Sequence, residues 1–446
     1  MGAAARGRYD AFSMKTIHYQ RNGAIPVVKE ADVVVIGGGP GGMSAAVMAA
    51  REGARVLLVE RYGAMGGMAS YGEIHPFMPN HLLGKCLDKP VYVEWIHRMQ
   101  RYCPSDTPPD GEVLAHEHRL ISKDAAMLAA EDLCLEAGVQ LLFHHQLADV
   151  LMDGGSVKAA VLLSKSGFSA VQGKMFIDAS GDADLCAMAG CPIEIGGPSG
   201  HCQPMTLCFK LCDVDRARMP KHAQINALYL KAKAEGRVQC PREDVLWFTW
   251  FTPEVIHFNT TRVIHKSGTN GVELSEAEIE ARRQVRQLLE MLRSDVPGFE
   301  KARIYSMAHH IGVRESRRVR GLAYLTKEAF IERKKFDDAI ARVRYSIDIH
   351  NPDGTGTEHM HLPEDQWYEI PYGCIVPQGV SNLLVAGRPI SVDHAIHSSM
   401  RVMPPACSVG QAAGMAAAMA VREGKRPGDL DGVAVRQRLR ERGAAL

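Results

Sequence analysis

Gly37-x-Gly39-x-x-Gly42 follows directly on an apolar run at residues 31–36, and Glu60 closes the next apolar run at residues 55–60. That spacing suits the pyrophosphate of a dinucleotide. Glycines let the backbone turn tightly and approach the phosphates, and the helix opened by Pro40 and Gly41 offers free N–H groups and the positive end of its dipole. A carboxylate at the end of the second strand then holds the ribose hydroxyls. The alternative is a glycine-rich turn of packing value alone; strand, turn, helix and acid together favour the dinucleotide site.

These residues need particular elements beneath them. A short continuous apolar run at 31–36 is what a strand buried on both faces of a parallel sheet requires. Small and apolar residues from Gly41 to Ala50 predict a helix, Gly53 its terminating glycine, and residues 55–60 a second strand, which completes one βαβ unit. Ser122 caps a helix to Ala137, and residues 139–143 form the next strand. Three runs at 147–152, 157–164 and 168–177, parted by Gly154-Gly155 and Gly167, predict an antiparallel meander. From Gln203 to Trp367 the pattern shifts to aromatic- and Thr-rich strands at 245–251 and 255–261 and a long helix opening on the capping box Ser275-x-x-Glu278. Residues 382–387 are a last buried strand, and a small-residue helix runs from about Pro405 to Arg422.

The residues after Glu60 distinguish between dinucleotides. In Glu60-Arg61-Tyr-Gly-Ala-Met-Gly66-Gly67-Met68, an acid followed by a Gly-Gly pair resembles FAD-dependent oxidoreductases, where a second backbone loop comes under the pyrophosphate and flavin. Ile177-Asp-Ala-Ser180-Gly181-Asp182 is similar to their strand end that closes on the cofactor, and Leu384-Val-Ala-Gly387-Arg388 to their ribityl-binding strand end. Arg314-Glu-Ser-Arg317, Glu369-Ile-Pro-Tyr372 and the stretch from Val385 through His394 and Arg401 to Gly414 sharpen the resemblance to the bacterial FAD-dependent oxidoreductase family near fumarate reductases and succinate dehydrogenases. The sequence departs from that pattern at His75 and Gly373, both expected to line the substrate pocket.

The resemblance implies FAD as cofactor in an α/β fold, a Rossmann-like domain of the glutathione-reductase type with an inserted mixed α+β substrate domain. Gly37, Gly39, Pro40, Gly41, Gly42, Glu60, Arg61, Gly66, Gly67, Met68, Leu147, Ser180, Gly181, Asp182, Gly387 and Arg388 are the expected cofactor contacts. Gly410, Gln411 and Ala412 join them, because the last helix would aim N–H groups at the flavin and stabilise charge on the reduced ring. Relatives place an arginine toward substrate where Arg401 stands, and its planar fork suits a carboxylate or oxyanion. His394, seven residues earlier, could move a proton near neutral pH, or donate a structural hydrogen bond. Arg314 is a third catalytic candidate, with an ion-paired strut between domains as its alternative.

A chain of 446 residues predicts more than one domain: a discontinuous FAD-binding domain at 28–200 and 370–446, a substrate domain at 203–369, and a leader at 1–27. A formal net charge of +1 disfavours nucleic acid and membrane surfaces as partners. Eleven cysteines without a C-x-x-C pair, and no apolar signal segment, predict a cytoplasmic protein. The histidine pairs 309/310, 359/361 and 394/397 lack a closed ligand set, so no metal is assigned. The expected activity is hydride transfer between flavin N5 and a small polar substrate: an alcohol, a hydroxy acid or an activated alkene. No second G-x-G-x-x-G follows a strand, so electrons are expected to use the same pocket or an external carrier. A flavoprotein subunit relaying electrons, an FAD-dependent nucleic-acid-modifying protein and a homo-oligomer stay open.

Overall fold

The computed structural model describes residues 23–104 and 121–446; most of the expected leader lies outside them. The strand Val27–Ile36 pairs in parallel with Val56–Val59 on one side and with Gly167–Asp178 on the other. Its residues 31–36 are buried, which is why that half reads as an unbroken apolar run. Gln140–Leu142 extends the sheet beyond Val56–Val59, again in parallel. Between the first two strands lies the helix Pro40–Arg51, with proline in its first turn and Gly53 in the left-handed region just past its end.

Gly167–Asp178 is the pivot of the molecule. Its first half pairs antiparallel with Ser156–Ser164, which pairs in turn with Gln146–Asp153, so the expected meander is present. Its last residues, Phe176 to Asp178, pair in parallel with Leu383–Val385. The C-terminal part of the chain thereby returns to the sheet beside the glycine turn. The following helix, Met403–Glu423, packs on Pro40–Arg51 closely enough that a Cβ on Gly410 would lie 2.1 Å from the Gly41 carbonyl oxygen, and one on Gly414 2.0 Å from that of Ala45. Only residues without a side chain permit that approach.

A second core is built on a four-stranded sheet in the order Trp247–Thr249, Ile256–Phe258, Phe209–Cys212, Arg303–Met307. It is covered by residues of the helices His222–Ala234 and Gly271–Asp295. The long helix begins earlier than its sequence suggested: Asn270 caps it by accepting from the N–H groups of Val272 and Glu273, at 3.0 and 3.3 Å, which leaves Ser275-x-x-Glu278 inside the first turns. The second core runs from Met205 to Val313, while Val319, Ile340, Ile347 and Tyr368 belong to the first. The expected 203–369 span is thus divided between the two cores. Among the described residues no helix is long and apolar enough to cross a membrane.

Candidate active site

The ends of the parallel strands and the second core enclose a cavity of about 690 Å³, within the ~300–1,000 Å³ usual for small-molecule sites. One end is the glycine turn. Gly37 has φ +111, and a Cβ there would meet the Ala179 carbonyl oxygen at 2.3 Å, so the turn is pressed against the end of Gly167–Asp178. Gly39 is different: a Cβ on it would meet only the Gly67 Cα, at 3.9 Å, and otherwise project into open space. The free volume on that glycine is the kind of cradle a pyrophosphate needs.

Gly67, at φ +52, brings the second loop within van der Waals contact of Gly39; a Cβ on it would lie 2.8 Å from the Gly39 Cα. The Gly66 N–H donates to the Gly38 carbonyl at 2.9 Å and locks the two loops together. Glu60 is 5% exposed and accepts from the N–H groups of Gly38, at 2.6 Å, and Tyr62, at 2.9 Å. Those bonds hold the carboxylate at the cavity wall, with lone pairs left for hydroxyl donors.

Pro40, Gly41, Arg61 and Met68 line the same end. Ser180, Gly181 and Asp182 form the adjoining wall with Gly387 and Arg388. Asp182 accepts from Arg388, at 2.6 Å, and from the Ser316 hydroxyl, at 2.7 Å, which joins the two strand-end motifs; the Arg388 Nε is buried without a hydrogen-bond partner. The cradle over Gly39, the retained acid and this unpartnered donor fit a phosphate-bearing flavin dinucleotide.

Six expected contacts lie off the cavity wall, among them Gly66, whose N–H locks the second loop to Gly38. Gly42 serves the turn itself, since a Cβ on it would overlap the Gly37 carbonyl oxygen at 1.9 Å. Leu147 sits half-buried on the meander strand Gln146–Asp153. Gly410, Gln411 and Ala412 are in the interior of a helix that starts at Met403, so their N–H groups are not free. Gln411 donates to the Lys89 carbonyl at 2.8 Å. The helix end at the cavity is Val402, Met403 and Ala406. Pro404 and Pro405 have no N–H, and that of Ala406 bonds Val402, so this end contributes its dipole rather than a row of donors. Gly373 also lies off the cavity, packed against Ala323, whereas His75 lines it.

The far end of the cavity is cationic. Arg401 and Arg314, both expected, line it together with Arg242, which the sequence did not single out. Arg401 Nη2 lies 3.3 Å from the Asp348 carbonyl and 3.6 Å from its carboxylate, and Arg401 Nε has no partner. Arg242 Nε donates to Asp244 at 2.8 Å, while one of its terminal nitrogens, Nη1, is buried and unpaired. Arg314 donates to the Pro204 carbonyl at 2.7 Å and to Thr206. Burial, then the neighbouring guanidiniums of Arg401, Arg242 and Arg262, pull its pKa down to about 9, still charged at neutral pH. With Arg262, four guanidiniums face the three carboxylates Glu243, Asp244 and Asp348, and one positive charge is left over.

His394 is not part of this end. It opens the helix His394–Met400, and its Nδ1 lies 2.8 Å from the carboxylate of buried Glu315, which also takes Arg318 and the Gln203 N–H. The imidazole beside these arginines is His350, on the hairpin Ile347–His350/Thr357–Met360, whose strands also carry Asp348, Thr357 and His359 to the wall. Burial and the charges of Arg314 and Arg401 hold His350 well below the ordinary histidine pKa, so it is neutral. Arg262 donates to its Nδ1 at 3.2 Å, which leaves the ring proton on Nε2, 3.7 Å from Asp348. The available sequence signal was the alternation Ile347-Asp348-Ile349-His350, which sends Asp and His to one face.

Comparison with known proteins agrees with the geometry. The family model described as FAD dependent oxidoreductase matches residues 32–439. A digeranylgeranylglycerophospholipid reductase of Methanopyrus kandleri is 32% identical over 163 residues, 34% of this chain and 38% of that protein. A soluble pyridine nucleotide transhydrogenase of Hamiltonella defensa is 32% identical over 100 residues, 22% and 20% of the two chains. The chain thus matches well under half the length of either relative. Among solved structures, a geranylgeranyl bacteriochlorophyll reductase-like protein of Thermoplasma acidophilum superposes at TM-score 0.45 and 14% identity, covering 93% of this chain and 84% of that one. The match of the family model over nearly the whole chain, on a fold with this cradle, shows that the protein belongs to the FAD-dependent oxidoreductases.

Proposed function

We propose that the protein exchanges a hydride between FAD and a small organic acid, a hydroxy acid or an alkene activated by its carboxylate, bound at the arginine end of the cavity. The observation that carries this is the convergence of Arg242, Arg314 and Arg401 on one wall, with Arg242 Nη1 and Arg401 Nε buried and unpaired. Arg314 is buried beside the guanidiniums of Arg401 and Arg242, an arrangement that disfavours its charge, and an anionic ligand on that wall would offset it.

When bound, FAD supplies the two-electron exchange. The glycine turn, Glu60, the Gly67 loop and the Asp182–Arg388 pair would hold it, and its flavin end would approach Val402 and Met403. Arg401 and Arg242 grip the substrate carboxylate, and Arg314 adds charge from behind. His350, fixed as the Nε2–H tautomer, donates a hydrogen bond to the substrate oxygen on which charge develops. Ile74, Phe77, Leu246 and Phe248 give the cavity an apolar flank that excludes water.

The nearness to fumarate-reductase-type flavoproteins belongs to the same proposal, resting on the motifs around Arg314, Arg401 and Gly414. An external carrier would complete the electron path. The test is a binding titration of FAD-loaded protein with unreactive carboxylates, followed by perturbation of the flavin absorbance. Saturable perturbation that fails in Arg401→Gln supports the reading, and an identical response in that variant refutes it.

A further inference from the structure

Away from the cavity, three side chains distant in sequence meet on the surface: His201, His265 and Asp353. Their candidate ligand atoms lie within 4.8 Å of one another. His201 Nδ1 is 2.5 Å and His265 Nε2 3.5 Å from the same Asp353 oxygen, and the two imidazole centroids are 4.6 Å apart. We propose that these residues form a site for a divalent transition metal ion of the zinc type, completed by water.

The donor set of two imidazoles and one carboxylate suits zinc and its neighbours, which take three protein ligands with a fourth position open to water. Alkaline-earth ions, which prefer all-oxygen shells, are disfavoured. Two of the ligands, His201 and Asp353, stand on backbone fixed by other bonds. His201 closes a turn in which its carbonyl accepts from the Gly197 N–H at 3.0 Å, and the Gly200 N–H bonds the Gly197 carbonyl at 2.9 Å. His265 is held at φ +56, a region a residue with a Cβ enters at a cost of order 1–3 kcal/mol.

Asp353 is at the tip of the hairpin 347–360, and that tip is anchored from below. Arg262, 1% exposed, donates to the carbonyls of Gly354 and Gly356, each at 3.2 Å, and the Gly356 N–H bonds Glu243 at 3.1 Å. An ion would replace the His201–Asp353 hydrogen bond, widening that 2.5 Å contact to the roughly 3.3 Å between two ligands of one tetrahedral ion. Metal uptake moves the His201 ring proton from Nδ1, now facing Asp353, to Nε2 and frees the Nδ1 lone pair as a ligand.

An ion here would tie three segments together: the turn at 196–201, the residues after Arg262, and the hairpin whose strands carry Asp348, His350, Thr357 and His359 to the cavity wall. Its predicted role is to stiffen that hairpin. None of the three ligands lines the cavity.

The experiment is calorimetric titration of zinc into metal-free, FAD-loaded full-length protein, beside His201→Ala and Asp353→Ala. Both substituted residues are exposed, and equal melting temperatures without zinc show that the variants fold. A saturable site in the parent, weakened about 100-fold or more in each variant, is expected. Amide exchange at residues 351–356 should slow on zinc addition to the parent and not in the variants. No saturable binding, a site that survives either substitution, or exchange that zinc leaves unchanged overturns the proposal.

Discussion

Gly39→Ala separates the two roles a glycine can have in this fold. Gly39 has φ −72 and ψ −177, an ordinary extended conformation for alanine, and the added Cβ would touch only the Gly67 Cα at 3.9 Å. The FAD-free protein should therefore be unharmed, or stabilised by about 0.4–1 kcal/mol through the stiffer unfolded chain. The same methyl occupies the cradle in which the pyrophosphate meets backbone N–H groups. Losing one charge-assisted bond costs about 1.5–3 kcal/mol, or roughly 10- to 150-fold in Kd for FAD. Equilibrium dialysis of FAD against apoprotein, with thermal melting of both proteins, measures the two effects. Gly42→Ala is the control, since its Cβ would lie 1.9 Å from the Gly37 carbonyl oxygen and damage the turn itself. An unchanged FAD affinity in Gly39→Ala would refute the cradle.

Four further outcomes follow from the packing. Arg401→Lys keeps the charge and loses the planar fork, and should lower kcat/KM for the substrate roughly 10- to 150-fold, the loss of ~1.5–3 kcal/mol, with FAD content unchanged by absorbance. His394→Gln should leave kcat at the parent value and reduce stability by about 0.5–3 kcal/mol in urea denaturation, because it weakens the bond to buried Glu315. Gly410→Ala forces a Cβ to 2.1 Å from the Gly41 carbonyl oxygen and should cost about 1–3 kcal/mol, read as a lower denaturation midpoint together with weaker FAD retention. Asp88 is buried and its carboxyl meets the Ser408 hydroxyl and the Asn80 amide among the described residues, and burial pushes its pKa from 3.8 up to about 7. Its folded pKa exceeds the unfolded one, so its stabilising effect is complete below about pH 4 and is lost as pH rises to 7, by about 4 kcal/mol at ~1.4 kcal/mol per pH unit. Asp88→Asn should be more stable than the parent at pH 8, with the difference shrinking toward pH 4 in denaturation curves.

The nucleotide end of the cavity was legible because its chemistry is local. The turn from Gly37 to Gly42, Glu60 and the Gly66-Gly67 pair lie within about one βαβ unit, and each glycine has a backbone reason that composition exposes. The arginine end was legible only in part. Arg401 and Arg314 stood in family motifs, but Arg242, Asp348 and His350 come from segments that meet only when the second core closes over the sheet. Periodicity cannot report such a meeting. His394 misled for the opposite reason: its position near Arg401 in sequence looks functional, yet one step into a helix turns its ring toward Glu315. Gly410–Ala412 lie off the cavity for a simpler reason: only the first four N–H groups of a helix are free, and these residues lie deeper whether the helix starts at Met403 or at Pro405. The glycines at 410 and 414 instead let two helices touch.

The most direct test of the central claim is anaerobic mixing of the FAD-loaded protein with small hydroxy acids, and of its reduced form with unsaturated acids, each beside the corresponding methyl ester. Bleaching or reoxidation of the flavin absorbance by an acid, and not by its ester, is the predicted result. Equal reaction with the ester, or reaction with neither while NAD(P)H alone bleaches the flavin, would contradict a carboxylate held by Arg242, Arg314 and Arg401.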